Sequence, residues 1–120
     1  MGILNATAAS PAEFDEKHGH SLIEGEEVIV AFKTIRDWIA FTSWRIIHVD
    51  VQGITGSKKQ YLTIPYRSVT AYAIESAGTF DLDAEIKIYL SGHSPIEFKI
   101  GKGSDVSGLQ SLMAEKLDRK

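Results

Sequence analysis

The sequence predicts a small, mainly β domain closed by one C-terminal helix. Three observations carry that expectation. Short alternating apolar segments run from about Glu27 to Ile100. Glycine, serine and proline interrupt them at short intervals, as turns require. A single amphipathic stretch, Ser104 to Leu117, then ends the chain.

The first 26 residues are expected to stand apart as an N-terminal segment, with the domain itself over 27–120. Residues 1–9 show no apolar period and read as irregular. Ser10, Pro11 and Glu13 then form a capping-box pattern with proline at the first helical position. A short helix should run from there to about His18 and stop at Gly19.

Seven strands are expected. The first is Glu27–Ile35, with Val28, Val30 and Phe32 on one face and Ile29 and Ala31 on the other. Trp38–Thr42 and Arg45–Val51 follow, joined at Ser43-Trp44. Gln52–Ser57 holds two glycines and reads as a hairpin loop. Lys59–Ile64 is the fourth strand, ended by Pro65, which suits a strand terminus better than its centre. Ser68–Glu75 is the fifth, broken at Gly78. In the last hairpin Leu82, Ala84, Ile86, Ile88 and Leu90 alternate with polar residues. After the turn at 91–94, Ile96, Phe98 and Ile100 alternate with Glu97 and Lys99. A one-residue slip would expose the whole apolar set, so register here is strongly specified. Paired across the turn, Glu85, Lys87, Glu97 and Lys99 set opposite charges side by side. In the final helix Ser104 is the candidate cap. Val106, Leu109, Leu112, Met113 and Leu117 form the apolar stripe.

The composition excludes several function classes. With 120 residues there is room for one domain, and with no cysteine there is no disulfide, thiolate metal site or cysteine nucleophile. A formal net charge of -3 argues against a nucleic-acid binder, which carries a basic face. No run of about 18 apolar residues is present to span a membrane. The first ten residues lack the basic and apolar regions of a secretory leader. Ala6 stands where a myristoylation signal needs Ser or Thr. A cytoplasmic location is the expectation.

The segment Leu22–Leu117 resembles the bacterial pleckstrin-homology (PH) domain family. The elements that carry the likeness are Glu24-Gly25-Glu26, Phe32-Lys33-Thr34-Ile35-Arg36-Asp37, Phe41-Thr42 with Arg45, Asp50 with Gln52-Gly53, Thr55-Gly56, Ile64-Pro65-Tyr66-Arg67-Ser68, and the run from Ala77 to Asp83. Ser43-Trp44 departs from the pattern, which has Asn and a basic residue there. The resemblance implies a PH-like barrel of seven antiparallel strands in two curved sheets, capped by the C-terminal helix. It also implies homo-oligomers assembled as rings, a pentamer being one such size. It implies no particular ligand.

Candidate sites are few. Lys33, Arg36, Arg45, Lys58 and Lys59, cations that border turns, are candidates for a weak anion contact. A phosphoinositide site is disfavoured, because the connection Thr34–Asp37 is short and carries a cancelling acid. "GITGSKK" lacks the spacing and the following helix of a phosphate loop, so a solvated hairpin tip is the expectation. His18 and His20 make a weak metal pair and read as surface residues. His48 and Asp50 share a strand face without a nucleophile beside them. Asp81, Asp83 and Glu85 read as the outer face of a strand. Trp38, Trp44, Tyr66, Arg67 and Phe80 are candidates for a subunit contact, since aromatics and arginine are enriched at interfaces. No catalytic set, metal or cofactor is expected. The leading reading is a self-assembling binding or scaffold module, with a protein or membrane-associated factor as partner. The alternative is a module for an anionic lipid or small ligand.

Overall fold

A computed structural model of the chain describes residues 4–76, 84–101 and 106–118. The elements are β1 (Leu4–Ala9), α1 (Pro11–His18), β2 (Val28–Lys33), β3 (Trp38–Thr42), β4 (Arg45–Gln52), β5 (Lys58–Pro65), β6 (Val69–Ser76), β7 (Ala84–Leu90), β8 (His93–Ile100) and α2 (Val106–Asp118). They fall into two compact units, one of residues Ala9–Pro65 and one of Met1–Ala8 with Tyr66–Lys120.

In the unit 9–65, β2, β3, β4 and β5 form an antiparallel meander. The helix α1 starts as expected. Ser10 is extended, and its Oγ accepts the Glu13 N–H at 3.1 Å. The Glu13 carboxylate does not return to the cap; it pairs with Lys33 on β2. Replacing Ser10 with Ala should cost about 1 kcal/mol, read by thermal denaturation, because the helix loses one satisfied donor.

Phe14 and His18, four apart, place both buried side chains of α1 on one face. Phe14 packs edge-on against Trp38, with ring centroids 5.6 Å apart at 73°. Around them lie Val28, Ala31, Ala40, Ile47 and Val49. The opposite face of the sheet carries Phe32, Ile39, Phe41, Ile46 and Ile64, also buried. The expected facing of β2 is corrected here. A register shift between Val28 and Val30 puts Val28 with Ala31 in the cluster under α1, rather than with Val30 and Phe32. A bulge inserts one residue and so reverses the alternation beyond it. Ile29 is left exposed.

In the other unit β6, β7 and β8 are antiparallel, and their alternation follows the sequence pattern. Ala84, Ile86, Ile88, Phe98 and Ile100 are buried. Glu85 faces Lys99 and Lys87 faces Glu97 across the hairpin. The turn is tighter than expected: β8 begins at His93, and Gly92 adopts φ 79°, which a residue with a Cβ rarely does. Leu109, Leu112 and Met113 bury the apolar stripe of α2, and the Lys116 ammonium stands 5.8 Å from the centre of the Tyr66 ring.

Residues 4–9, expected to be irregular, form a strand. β1 pairs in parallel with β8, Leu4 opposite Phe98 and Ala6 opposite Ile100. Its strand character comes from its partner rather than from its own residues, three of which are alanine in Leu4–Ala9. The described residues therefore hold eight strands where seven are expected. The expected cap and first-turn acid of α2, Ser104 and Asp105, lie outside the described residues, as do Gly78, Asp81 and Asp83.

Candidate functional site

An antiparallel meander sends its first and third turns to the same end of the sheet and its second turn to the other. Thr34–Asp37 joins β2 to β3, and Gly53–Ser57 joins β4 to β5, so these two tips are neighbours. Ser43-Trp44, between β3 and β4, belongs to the far end.

The near end is clasped by side chains. Thr34 Oγ1 accepts the Asp37 N–H at 2.8 Å and Thr34 N–H donates to the Asp37 carbonyl at 2.9 Å, which closes the first tip. The Asp37 carboxylate accepts the Val51 N–H at 3.0 Å, and the Arg36 guanidinium donates to the Gly53 carbonyl, which ties that tip to the second. Gly56 sits at φ 73°, its Cα facing Val51 and Arg36 closely enough that a Cβ would lie 3.3 Å from Val51 Cγ1.

Between these tips and the end of α1 is a cleft of about 430 Å³. Lys17 and His18 reach it from α1, Lys33 to Arg36 from the first hairpin, Trp38 from β3, Val51 from β4 and Lys59 from β5. Four of these side chains are cations. Lys33 is held between Glu13 and the Trp38 ring, 5.8 Å from its centre. The Lys59 ammonium donates to the Gly56 carbonyl at 3.2 Å. Among the described residues no carboxylate lines the cleft, and that of Glu13 meets it only through Lys33.

His18 registers the resulting field. Its imidazole is held below the usual histidine range, first by burial and then by His20, Lys59 and Lys17, all of which oppose a further positive charge. Tyr61 stands between the two histidines, its hydroxyl 3.0 Å from His18 Nδ1 and 3.3 Å from His20 Nε2. The expectation that His18 is a surface residue is thus corrected: it is 5 % exposed and packed against Phe14, Trp38 and Tyr61. Among the described residues no three His, Cys, Asp or Glu side chains are grouped to hold a metal.

The expected anion contacts divide. Lys33, Arg36 and Lys59 meet in the cleft. Lys58, the first residue of β5, is exposed and is not among the lining residues. Arg45 belongs elsewhere. It opens β4, eight residues long, and at about 3.3 Å per residue it lies about 20 Å from the tips. There it grips Glu26 with two bonds of 2.8 Å, and also donates to Ser21 O at 2.7 Å and Thr63 Oγ1 at 2.9 Å. Its guanidinium is a structural clamp. Lys17 and Trp38 were not among the expected anion contacts. The Phe14–His18 spacing was the available signal, since it turns Lys17 toward the same side of α1 as His18.

His48 and Asp50, though on one strand face, do not pair. His48 Nε2 lies 3.8 Å from Asp37, and Asp50 accepts from Gln52 Nε2 at 3.0 Å. Of the candidate subunit contacts, Trp38 and Tyr66 are buried within their own units, Trp44 is 49 % exposed and Arg67 is exposed. Phe80 lies outside the described residues.

This arrangement of strands and a C-terminal helix defines a PH-like fold. It is similar to a protein with a pleckstrin-homology domain from Shewanella loihica PV-4, with a TM-score of 0.80 and 38% identity over 97% of this chain and 99% of that one. It is also similar to a pleckstrin-homology domain from Shewanella amazonensis SB2B, with a TM-score of 0.66 and 38% identity over 91% of this chain and 89% of that one. In sequence it is 43% identical over 116 residues to the uncharacterized protein YjqA of Bacillus subtilis (strain 168), covering 94% of this chain and 93% of YjqA. The model of the bacterial PH domain family matches residues 1–117, and the chain belongs to that family. The match includes the N-terminal segment that the resemblance from sequence had left outside.

Proposed function

We propose that the chain is a non-enzymatic, cytoplasmic binding module that takes an anionic group in the cleft of the unit 9–65. The observation that supports this is the convergence of Lys17, Lys33, Arg36 and Lys59 on one cleft that no carboxylate of a described residue lines. Charge-assisted hydrogen bonds from ammonium and guanidinium groups favour a phosphate-type ligand. Trp38 and His18, whose rings lie 6.1 Å apart, line the same cleft and give it an aromatic wall beside the cations.

Inorganic pyrophosphate, followed by calorimetry, is a suitable probe. Its affinity should fall steeply as salt rises from about 0.05 to 0.5 M. The double substitution Lys17→Gln and Lys59→Gln should weaken it about tenfold. With sulfate, whose charge does not change in this range, binding should tighten as pH falls below 6.5, the ordinary histidine value, because a bound anion favours protonated His18 and so takes up a proton. Absence of binding, or binding indifferent to both lysines, would remove this reading.

A second reading, supported at the far end of the meander, is self-association. Trp44 is half exposed, its ring lies over Gly25, and Ile23, two positions before that glycine, is exposed as well. β5 pairs with β4 alone among the described residues, which leaves an edge to which a second chain can add. Homo-oligomers, rings included, would then form through that edge and the Trp44 end. Light scattering across a range of concentrations tests this: a discrete multiple of 13.2 kDa supports it, and a monomer does not.

A further inference from the structure

The far end of the meander carries an exposed aromatic ring on a fixed mount. Ile23 to Glu26 forms a turn in which the Glu26 N–H donates to the Ile23 carbonyl at 3.0 Å and Gly25 takes φ 86°. The Trp44 ring rests on that glycine, its Cη2 3.5 Å from where a Cβ would stand. The Ser43 N–H donates to the Glu27 carbonyl at 2.8 Å, and the Glu27 N–H donates to Ser43 Oγ at 3.1 Å. Thr42 Oγ1 accepts the Trp44 N–H at 3.1 Å. Backbone and neighbours thus fix the tryptophan, yet its ring is half exposed, and so is Ile23 beyond the turn.

The charge around this mount is negative. Glu24 precedes the glycine under the ring, and Glu27 is bonded to the residue before Trp44; both are exposed. Neither carboxylate has an ion-pair partner among the described residues. Arg45, next to Trp44 in the chain, is taken up by Glu26. We propose that this end of the unit binds an arginine-bearing segment of a partner protein. The guanidinium lies against the Trp44 ring and donates to the Glu24 and Glu27 carboxylates, while an apolar neighbour of that arginine covers Ile23. The site is separate from the anion cleft, and it gives the Trp44 end a different occupant from the second copy of the self-association reading.

Charge complementarity selects this occupant. A tryptophan face attracts a cation, and the attraction is strongest for tryptophan among the aromatic side chains. A guanidinium is planar and weakly hydrated, so it stacks on a ring while its N–H groups remain free for carboxylates; a compact ammonium gives up more water to do so. An anionic lipid or a nucleic acid would be repelled by the two carboxylates. A second copy is poorly equipped, since its Arg36 already donates to the Gly53 carbonyl and its Arg45 is clamped by Glu26. Tryptophan and arginine are also the residues that carry most binding energy at protein interfaces. The fixed mount lowers the ordering cost of binding.

The probe is a short capped peptide of alternating arginine and leucine. Its control carries citrulline in place of arginine, which keeps the shape and removes the charge. The chain has two tryptophans, so its amide spectrum holds two indole N–H signals, and the buried Trp38 serves as internal reference. The arginine peptide should shift the Trp44 indole signal saturably and leave that of Trp38 in place; the citrulline peptide should shift neither. By calorimetry, Trp44→Ala should weaken the arginine peptide about tenfold, and Trp44→Phe should recover part of the loss. Glu24→Gln with Glu27→Gln should weaken it about fivefold. Pyrophosphate affinity should not change in any of these variants, since the three residues lie outside the cleft, and this shows that the unit remains folded. Absence of a saturable shift, equal binding of the citrulline peptide, or affinity indifferent to Trp44→Ala would overturn the proposal. A multimer that Trp44→Ala takes apart, with no arginine-peptide binding, would overturn it in favour of the second copy.

Discussion

Glu26→Gln should lower stability by about 2–4 kcal/mol, which in a chain of this size corresponds to a fall in Tm of about 10 °C. The Glu26 carboxylate is fully shielded from solvent, and three donors converge on it: Arg45 through two nitrogens and the Thr42 hydroxyl at 2.6 Å. A fourth, the Ile23 N–H at 3.1 Å, closes the loop before β2. Removing the negative charge leaves the Arg45 guanidinium half-satisfied among the same partners, and an unpaired shielded charge is costly. The pH dependence follows from the same contact. Arg45 holds the Glu26 carboxyl down to about 2, from an ordinary value of 4.5. A depressed carboxylate adds stability in full above 4.5 and loses it as pH falls toward 2. Acid denaturation of the native chain should therefore be steep in that window and shallower in Glu26→Gln. A variant with unchanged Tm and an unchanged acid limb would show that the clamp is dispensable.

Phe14→Ala should cost about 3–5 kcal/mol by denaturant unfolding. Phe14 is completely buried and touches both Trp38 and His18. An eight-residue helix is too short to persist without packing, so α1 depends on that ring to stay docked. The substitution has a second consequence. Lys17 and His18 reach the cleft only from α1, so hydrogen exchange in α1 should accelerate and pyrophosphate affinity should fall with it. A cost below about 1 kcal/mol would mean that α1 is anchored elsewhere.

What the sequence discloses of this fold tracks how local each interaction is. The β7–β8 hairpin and the Ser10 cap are legible because period two and the Ser-Pro-x-Glu pattern express contacts a few residues long. β1 is not legible. Its strand depends on β8, more than ninety positions away, and its alanines show no preference of their own. The facing of Val28 is hidden for a related reason, since a bulge is set by the partner strand β3. The cleft lies between these cases. Lys33, Arg36 and Lys59 stand out as cations at turns, yet so does Arg45. Only the pairing order of four strands shows that the first three share an end and the fourth lies a strand's length away. His18 and Trp38 read as one surface and one interface residue, and become two walls of a site once α1 is laid on the sheet.

The most direct test of the anion cleft is a map of backbone amide shifts during titration with pyrophosphate. Perturbations should concentrate at Lys17, His18, Thr34 to Arg36 and Lys59, leaving Trp44 and Arg45 at the far end unmoved. Shifts centred on the Trp44 end, or no saturable shifts at all, would contradict the assignment of the cleft as the binding site.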